Sequence, residues 1–159
     1  MLGIEIVCIG KLKHSFFREA CAEYIKMSSA YADVKVTELA ETKISRNGGA
    51  AVNKVVEDES ARIVEYIKNK RAATVAMCID GKPFASERLA QFISETALTN
   101  SNIIFIIGGS NGLSRTLLDA VDFKISMSAM TFPHQLARVM LLEQIYRALN
   151  INSGGKYHK

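Results

Sequence analysis

Cysteine is scarce in this chain: Cys8, Cys21 and Cys78 make an odd number with no CxxC pairing. Each sits in an apolar pattern, which predicts buried free thiols in a reducing cytosol and argues against a disulfide framework. Histidine is equally sparse. His14, His134 and His158 are far apart and no HxxxH or Cys/His cluster occurs, so no metal site is expected. The absence of GxxxxGK[ST] excludes a nucleotide-hydrolysing P-loop. No GxGxxG follows the first strand, which weighs against a nucleotide-dependent oxidoreductase. No apolar run approaches the length of a membrane span. Met1-Leu2-Gly3-Ile4-Glu5 carries an acid where a signal peptide would be basic, so the expectation is a cytoplasmic protein without a membrane partner. Internal repeats and low-complexity tracts are missing as well.

What is present suits one compact domain over residues 1–159. The chain is 48% hydrophobic, enough for a real core, and its 23% charged fraction is mixed in sign, unlike a disordered segment. A net charge of +4 is compatible with an anionic partner without specifying one.

The most informative stretch is Ile103-Ile104-Phe105-Ile106-Ile107, then Gly108-Gly109-Ser110-Asn111-Gly112. An unbroken β-branched and aromatic run ending at glycines predicts a strand buried on both faces. A second strand, Phe123-Lys124-Ile125-Ser126, leads into a second loop, Met127-Ser128-Ala129-Met130-Thr131-Phe132-Pro133-His134. In open α/β sheets ligands sit beyond the C-terminal ends of strands, so these two loops are the expected walls of one pocket. Upstream, strands are expected over residues 4–9, 34–37 and 74–79, and helices over 15 to about 30, 52 to about 70 and 86–97. The second of these helices carries an apolar line through Val56, Ser60, Ile63 and Ile67, with Glu59 among its wet residues. Residues 41–51, containing Asn47-Gly48-Gly49, read as a mobile loop, and Asp80-Gly81-Lys82-Pro83 as a turn. Ser86 and Ser114 are expected helix caps. The last helix, residues 133–149, begins on a proline and is apolar nearly all round, so it needs two covering surfaces. A second subunit would supply one of them. The alternation of elements predicts a mostly parallel sheet flanked by helices.

Single residues leave alternatives open. GGxxG after a late strand suits a ligand loop or an ordinary strand-to-helix turn. His134 and Arg138, four apart at a helix N-terminus, form either a polar pair lining the pocket or a solvent-facing pair at a dimer seam. Glu143 and Arg147 share that spacing and read as an ion pair. Met127 and Met130 are core filler or cofactor contacts. Lys11, Lys13, His14 and Arg18 form a phosphate-contacting patch or a solvated face. The tail, with Ser153-Gly154-Gly155 before Lys156-Tyr157-His158-Lys159, reads as flexible.

Taken together, Ile107-Gly108-Gly109-Ser110-Asn111-Gly112-Leu113, the run Ser126 to His134, and Arg138, Glu143-Gln144 and Tyr146-Arg147-Ala148 strongly resemble the RlmH family. These are ribosomal large-subunit pseudouridine methyltransferases of the SPOUT superfamily. Ile9-Gly10-Lys11-Leu12-Lys13, Asp80-Gly81-Lys82 and Tyr157-His158-Lys159 match too, so the resemblance spans the chain. It implies a SPOUT-type α/β domain with a C-terminal trefoil knot and no separate RNA-binding domain. It implies a homodimer that uses S-adenosyl-L-methionine to methylate N3 of a pseudouridine in helix 69 of 23S rRNA, within the large subunit or the 70S ribosome. By position, cofactor contacts fall on Met77, Gly108, Met127, Ser128, Ala129, Met130, Thr131 and Phe132. His134, Arg138, Tyr157 and His158 are the candidates for orienting the base or removing its N3 proton. Asn152-Ser153-Gly154-Gly155 stands where the family often has an Arg-Gly pair. A ribosome-associated RNA-binding module without catalysis is the alternative.

Overall fold

A computed structural model of the protein describes residues 1–44 and 48–159. Its elements are β1 (Gly3–Ile9), α1 (Ser15–Ser28), β2 (Asp33–Leu39), α2 (Gly49–Ile67), β3 (Ala73–Pro83), α3 (Ser86–Ala97), β4 (Asn102–Ile107), α4 (Arg115–Ala120), β5 (Phe123–Ser126) and α5 (His134–Asn152). The strands form one sheet in the order β2-β1-β4-β3-β5, and every pairing is parallel.

Side-chain alternation along the strands divides the core in two. On one face Ile4, Ile6, Ile103, Phe105 and Ile107 pack with Cys21 of α1, Ile93 of α3 and Ile145 of α5. On the other, Val7, Ile9, Ile104 and Ile106 pack with Ile63 and Ile67 of α2 and Leu117 of α4. All of Ile103–Ile107 is buried, so both sides of this central strand must be apolar, and alternation gives way to a continuous run. Each of those side chains contributes about 2 kcal/mol on leaving water. Steps in one direction along the sheet, β1 to β2 and β3 to β4, cross over through α1 and α3. Steps in the other, β2 to β3 and β4 to β5, use α2 and α4 on the opposite face. Reversing direction and face together keeps all four crossovers of one hand. The final helix, α5, then lies against both α1 and α3.

Several boundaries differ from the sequence reading. Helix α2 begins at Gly49, inside the stretch expected to be a loop; residues 45–47 of that stretch lie outside the described residues. Its buried line runs through Val55, Glu59, Ser60, Ile63 and Ile67, so Glu59 is not on the wet side. Burial raises the pKa of Glu59, and its Oε1 accepts a bond from the Thr42 amide at 3.1 Å. The expected turn at residues 80–83 belongs to β3. That strand is irregular between Met77 and Lys82, and both of these pair with Ile125 of β5. A Cβ on Gly81 would lie 2.6 Å from the Ile125 carbonyl carbon, so only glycine permits this backbone approach. Ser114 does cap α4, accepting from the Leu117 amide at 3.2 Å. Ser86 caps nothing; its hydroxyl donates to Gln144 on α5 at 2.6 Å.

The tail is also held. Gly155 N donates to the Asn150 carbonyl at 2.9 Å, Tyr157 N donates to Asn150 Oδ1 at 3.0 Å, and the Tyr157 ring packs edge-on to Tyr146 at 4.8 Å. Gly154 reverses the chain at φ +70, so the glycines here make a turn that docks the tail.

Candidate functional site

Strands β3 and β4 are neighbours, yet the chain leaves them toward helices on opposite faces. Their loops therefore part at the C-terminal edge of the sheet and leave a crevice. A cavity of about 880 Å³ opens there, walled by the ends of β3, the loop after β4, the loop after β5 and the start of α5.

The glycine loop is folded tightly on itself. Gly112, at φ +84, donates its amide to the Gly109 carbonyl at 3.1 Å. A Cβ on Gly108 would lie 2.9 Å from the Gly112 carbonyl carbon and oxygen. The wall is thus backbone, at a place where no side chain fits. Serines brace the loop after β5: Ser126 Oγ donates to the Ser128 carbonyl at 3.0 Å, and Ser128 Oγ accepts from the Met130 amide at 3.0 Å.

Of the residues expected at the site, Met77, Gly108, Met127, Ser128, Met130, Thr131, Phe132 and His134 all line this cavity. Ala129 is in the same loop, exposed, and is not among the lining residues. Sequence reasoning missed Cys78, Ile79 and Asp80, which it assigned to a strand end and a turn, and Leu113, Leu118 and Ala137. Asp80 had a legible signal: it is a carboxylate directly following an apolar strand. Burial, followed by Asp80, raises the Cys78 pKa, so that side chain is a thiol and a poor nucleophile.

His134 has its Nδ1 3.4 Å from Ser110 Oγ, joining the last helix to the glycine loop. Burial, then the positive charges of Arg138 and Lys13, lower its pKa against an opposing pull from Glu41. The imidazole is neutral at pH 7 and can accept a proton.

The structure does not bring Arg138 to the cavity. It is 2% exposed, with Nη1 2.6 Å from Glu38 Oε2 and Nη2 donating to the Gly10 carbonyl at 3.0 Å. Four residues along a helix share a face, but one turn further in, that face meets the ends of β1 and β2. Neither expected role for Arg138, pocket wall or solvent-facing seam, matches this placement.

Tyr157 and His158 also lie away from this cavity. The Tyr157 hydroxyl donates to Glu143 at 3.1 Å, and burial with that bond pushes the phenol up to about 12. Arg147 stacks over the Tyr157 ring at 4.6 Å, pairs with Glu143 as the spacing predicted, and contacts His158 Nδ1 at 3.2 Å. Arginine only donates, so Nδ1 accepts; Nε2 then carries the proton toward Glu87 at 2.9 Å. Glu143 lies nine residues beyond His134, about 14 Å along the helix.

With this geometry established, the protein can be set beside known ones. A family profile described as "Predicted SPOUT methyltransferase" matches residues 2–158. The chain belongs to the SPOUT methyltransferases. Curated relatives named ribosomal RNA large subunit methyltransferase H are 46% identical in Carboxydothermus hydrogenoformans and 41% identical in Clostridium novyi. In both, the match covers 99% of this chain and 100% of the relative, which places the chain in the RlmH family. A solved structure, "a probable methylase family protein from Haemophilus influenzae Rd KW20", shares the fold with a TM-score of 0.56 at 12% identity, covering 98% of this chain and 70% of that one.

A SPOUT methyltransferase needs a methyl donor, and this cavity has the size and lining of a small-molecule site. Its walls are mainly apolar side chains and main chain, with the carboxylate of Asp80 and the hydroxyls of Ser110, Ser128 and Thr131 as polar points. Among the described residues no cluster of three or more His, Cys, Asp or Glu is positioned to hold a metal ion. Nor does any described helix have the length and apolarity to cross a membrane.

Proposed function

We propose that this protein transfers a methyl group from S-adenosyl-L-methionine to N3 of a pseudouridine in helix 69 of 23S rRNA, acting in the cytoplasm as a homodimer on the large subunit or 70S ribosome. The observation that carries the reading is the cavity itself. Two loops and the irregular end of β3 meet at the switch point of the sheet, and where a ligand would touch the glycine turn it would meet main chain.

In this reading Gly108 and residues 127–132 hold the donor, with Met77, Met127 and Phe132 packing on the adenine and backbone groups reading its edge. Bound there, S-adenosyl-L-methionine supplies a methyl group already activated by a positive sulfur. The chain's remaining work is positional: it must keep the target nitrogen in line and at near-contact distance. The donor would give its methyl to N3 and its sulfur would keep the bonding pair, while a base of this chain takes the N3 proton. His134 is our candidate base, because it is neutral, lines the cavity and is held by Ser110. Arg138 contributes by fixing the N-terminal part of α5 against β1 and β2. Tyr157 and His158 act on the RNA from a partner subunit, since Glu143, which holds Tyr157, lies about 14 Å along α5 from His134 in their own chain. A C-terminal trefoil knot, which membership of the SPOUT methyltransferases implies, is part of the reading.

The test is mass spectrometry of 23S rRNA from cells with and without the gene, paired with calorimetric titration of S-adenosyl-L-methionine. A pseudouridine that loses one methyl mass on deletion is expected, together with saturable donor binding. Folded protein that binds no donor would instead favour the non-catalytic RNA-binding module.

A further inference from the structure

One surface feature is left unused by the pocket. The N-cap and first turn of α1 present His14 and Phe16 as a parallel ring pair, with centroids 5.0 Å apart and planes 8° from parallel. Phe17 packs against Phe16 at 4.5 Å, tilted by 56°, and so backs the pair. Phe16 is nevertheless 60% exposed. An isolated exposed phenylalanine needs no explanation. A ring pair backed by a third ring, with the exposed Lys11 and Lys13 immediately before it, is an organised surface.

Two contacts fix that surface relative to the pocket. Arg18 Nη1 donates to the Leu12 carbonyl at 3.0 Å and pins the turn. The Lys13 amide donates to Gln135 Oε1 at 3.0 Å, in the first turn of α5 beside His134. Lys13 is near enough to His134 to act on its charge, as is Glu41, the carboxylate that lies against Gly10.

We propose that His14 and Phe16 form a stacking platform for an unpaired RNA base next to the methylated one, with Lys11 and Lys13 holding the flanking phosphates. This rests on the reading that the pocket's acceptor is RNA. A flat aromatic face beside cations is the chemistry that grips single-stranded loops, whose bases are free to stack. The interior faces of a paired helix are already stacked and cannot use it. The platform therefore selects loops over duplex, and its link to α5 sets the distance between the stacked base and the pocket.

The experiment compares wild type, Phe16→Ala, Phe16→Trp and Lys13→Gln. It measures binding of a fluorescently labelled RNA hairpin and its fully paired duplex counterpart, and steady-state methylation of ribosomes from a strain lacking the gene. Phe16→Ala is expected to weaken hairpin binding about tenfold and to raise KM for ribosomes, with kcat and donor affinity unchanged. Phe16→Trp restores both values. Lys13→Gln lowers the salt slope of hairpin binding by about one. Wild-type affinity in Phe16→Ala, equal wild-type binding of hairpin and duplex, or no rescue by tryptophan would each overturn the platform. A change in sedimentation on Phe16→Ala would overturn it too, since the ring would then belong to a subunit contact. Failure of the wild type to methylate ribosomes would sink the proposed function, a result distinct from all of these.

Discussion

At the scale of single residues, the two basic groups at the start of α5 have separate jobs. The folded pKa of His134 lies below 6.5, first because it is buried and then because Arg138 and Lys13 are positive. The unfolded chain therefore takes up this proton before the folded one. Stability from a neutral His134 is complete above pH 6.5 and is lost as pH falls through the folded pKa. If His134 accepts the N3 proton, single-turnover methylation falls on an acid limb centred below 6.5. Replacing it with alanine should abolish that limb and slow transfer at pH 7.5 by about a hundredfold or more. A wild-type pH profile in His134→Ala would place the base elsewhere. Arg138 should behave as a structural residue. Glu38 keeps 35% of its side-chain surface in water and survives the loss of its partner, but the buried guanidinium also serves the Gly10 carbonyl. Arg138→Ala is expected to cost about 3 kcal/mol in urea denaturation. Arg138→Lys should recover only part of it, since one ammonium cannot reproduce the fork that serves both partners.

At the scale of elements, the glycine loop is the sharpest test. Gly108→Val puts its branch into the Gly112 backbone 2.9 Å away, so the loop must open before any ligand arrives. Calorimetry should detect no donor binding, while circular dichroism still reports a folded sheet with a lowered midpoint. Unchanged donor affinity would mean that this loop is not a pocket wall. The same elements show what can be read from sequence. β4 was legible because burial on two faces forces apolar residues at every position, and both pocket loops were legible from small residues following strands. What escaped depends on partners distant in sequence. β3 continues through Asp80-Gly81-Lys82-Pro83 because Ile125 pairs with it twice, and turn-like composition cannot reveal a pairing 43 residues away. Glu59 is buried because Thr42 and the glycine loop close over that part of α2; a Cβ on Gly109 would lie 2.8 Å from its Oε2. Helical spacing put Arg138 on the face of His134, but it carried no information about Glu38 on the far side of the sheet edge. The tail glycines were read as flexibility because a turn and a flexible link share one composition.

At the scale of the whole molecule, α5 leaves unfinished business. Leu141, Leu142, Ile145, Ala148 and Leu149 are buried against the sheet and its neighbours, while Leu136, Val139, Met140 and Tyr146 are only half-buried. Val139, Met140, Gln144 and Tyr24 border a second cavity of about 510 Å³, and Met77 walls both cavities. A second copy laid on this face would cover the apolar side chains. It would also carry its own Tyr157 and His158, fixed to its α5, toward the first copy's pocket. Met140→Glu should then sediment as a monomer and lose methyl transfer. Removal of residues 154–159 should leave dimer and donor binding intact and abolish transfer. Mixing decides whether the tail works across the interface. Tail-less protein keeps His134, and His134→Ala protein keeps the tail, so each is inactive alone. Random re-pairing makes half of the dimers mixed, each with one complete site, and about a quarter of wild-type activity should return. If the tail served the pocket of its own chain, no mixed dimer would hold a complete site and the mixture would stay as inactive as its components.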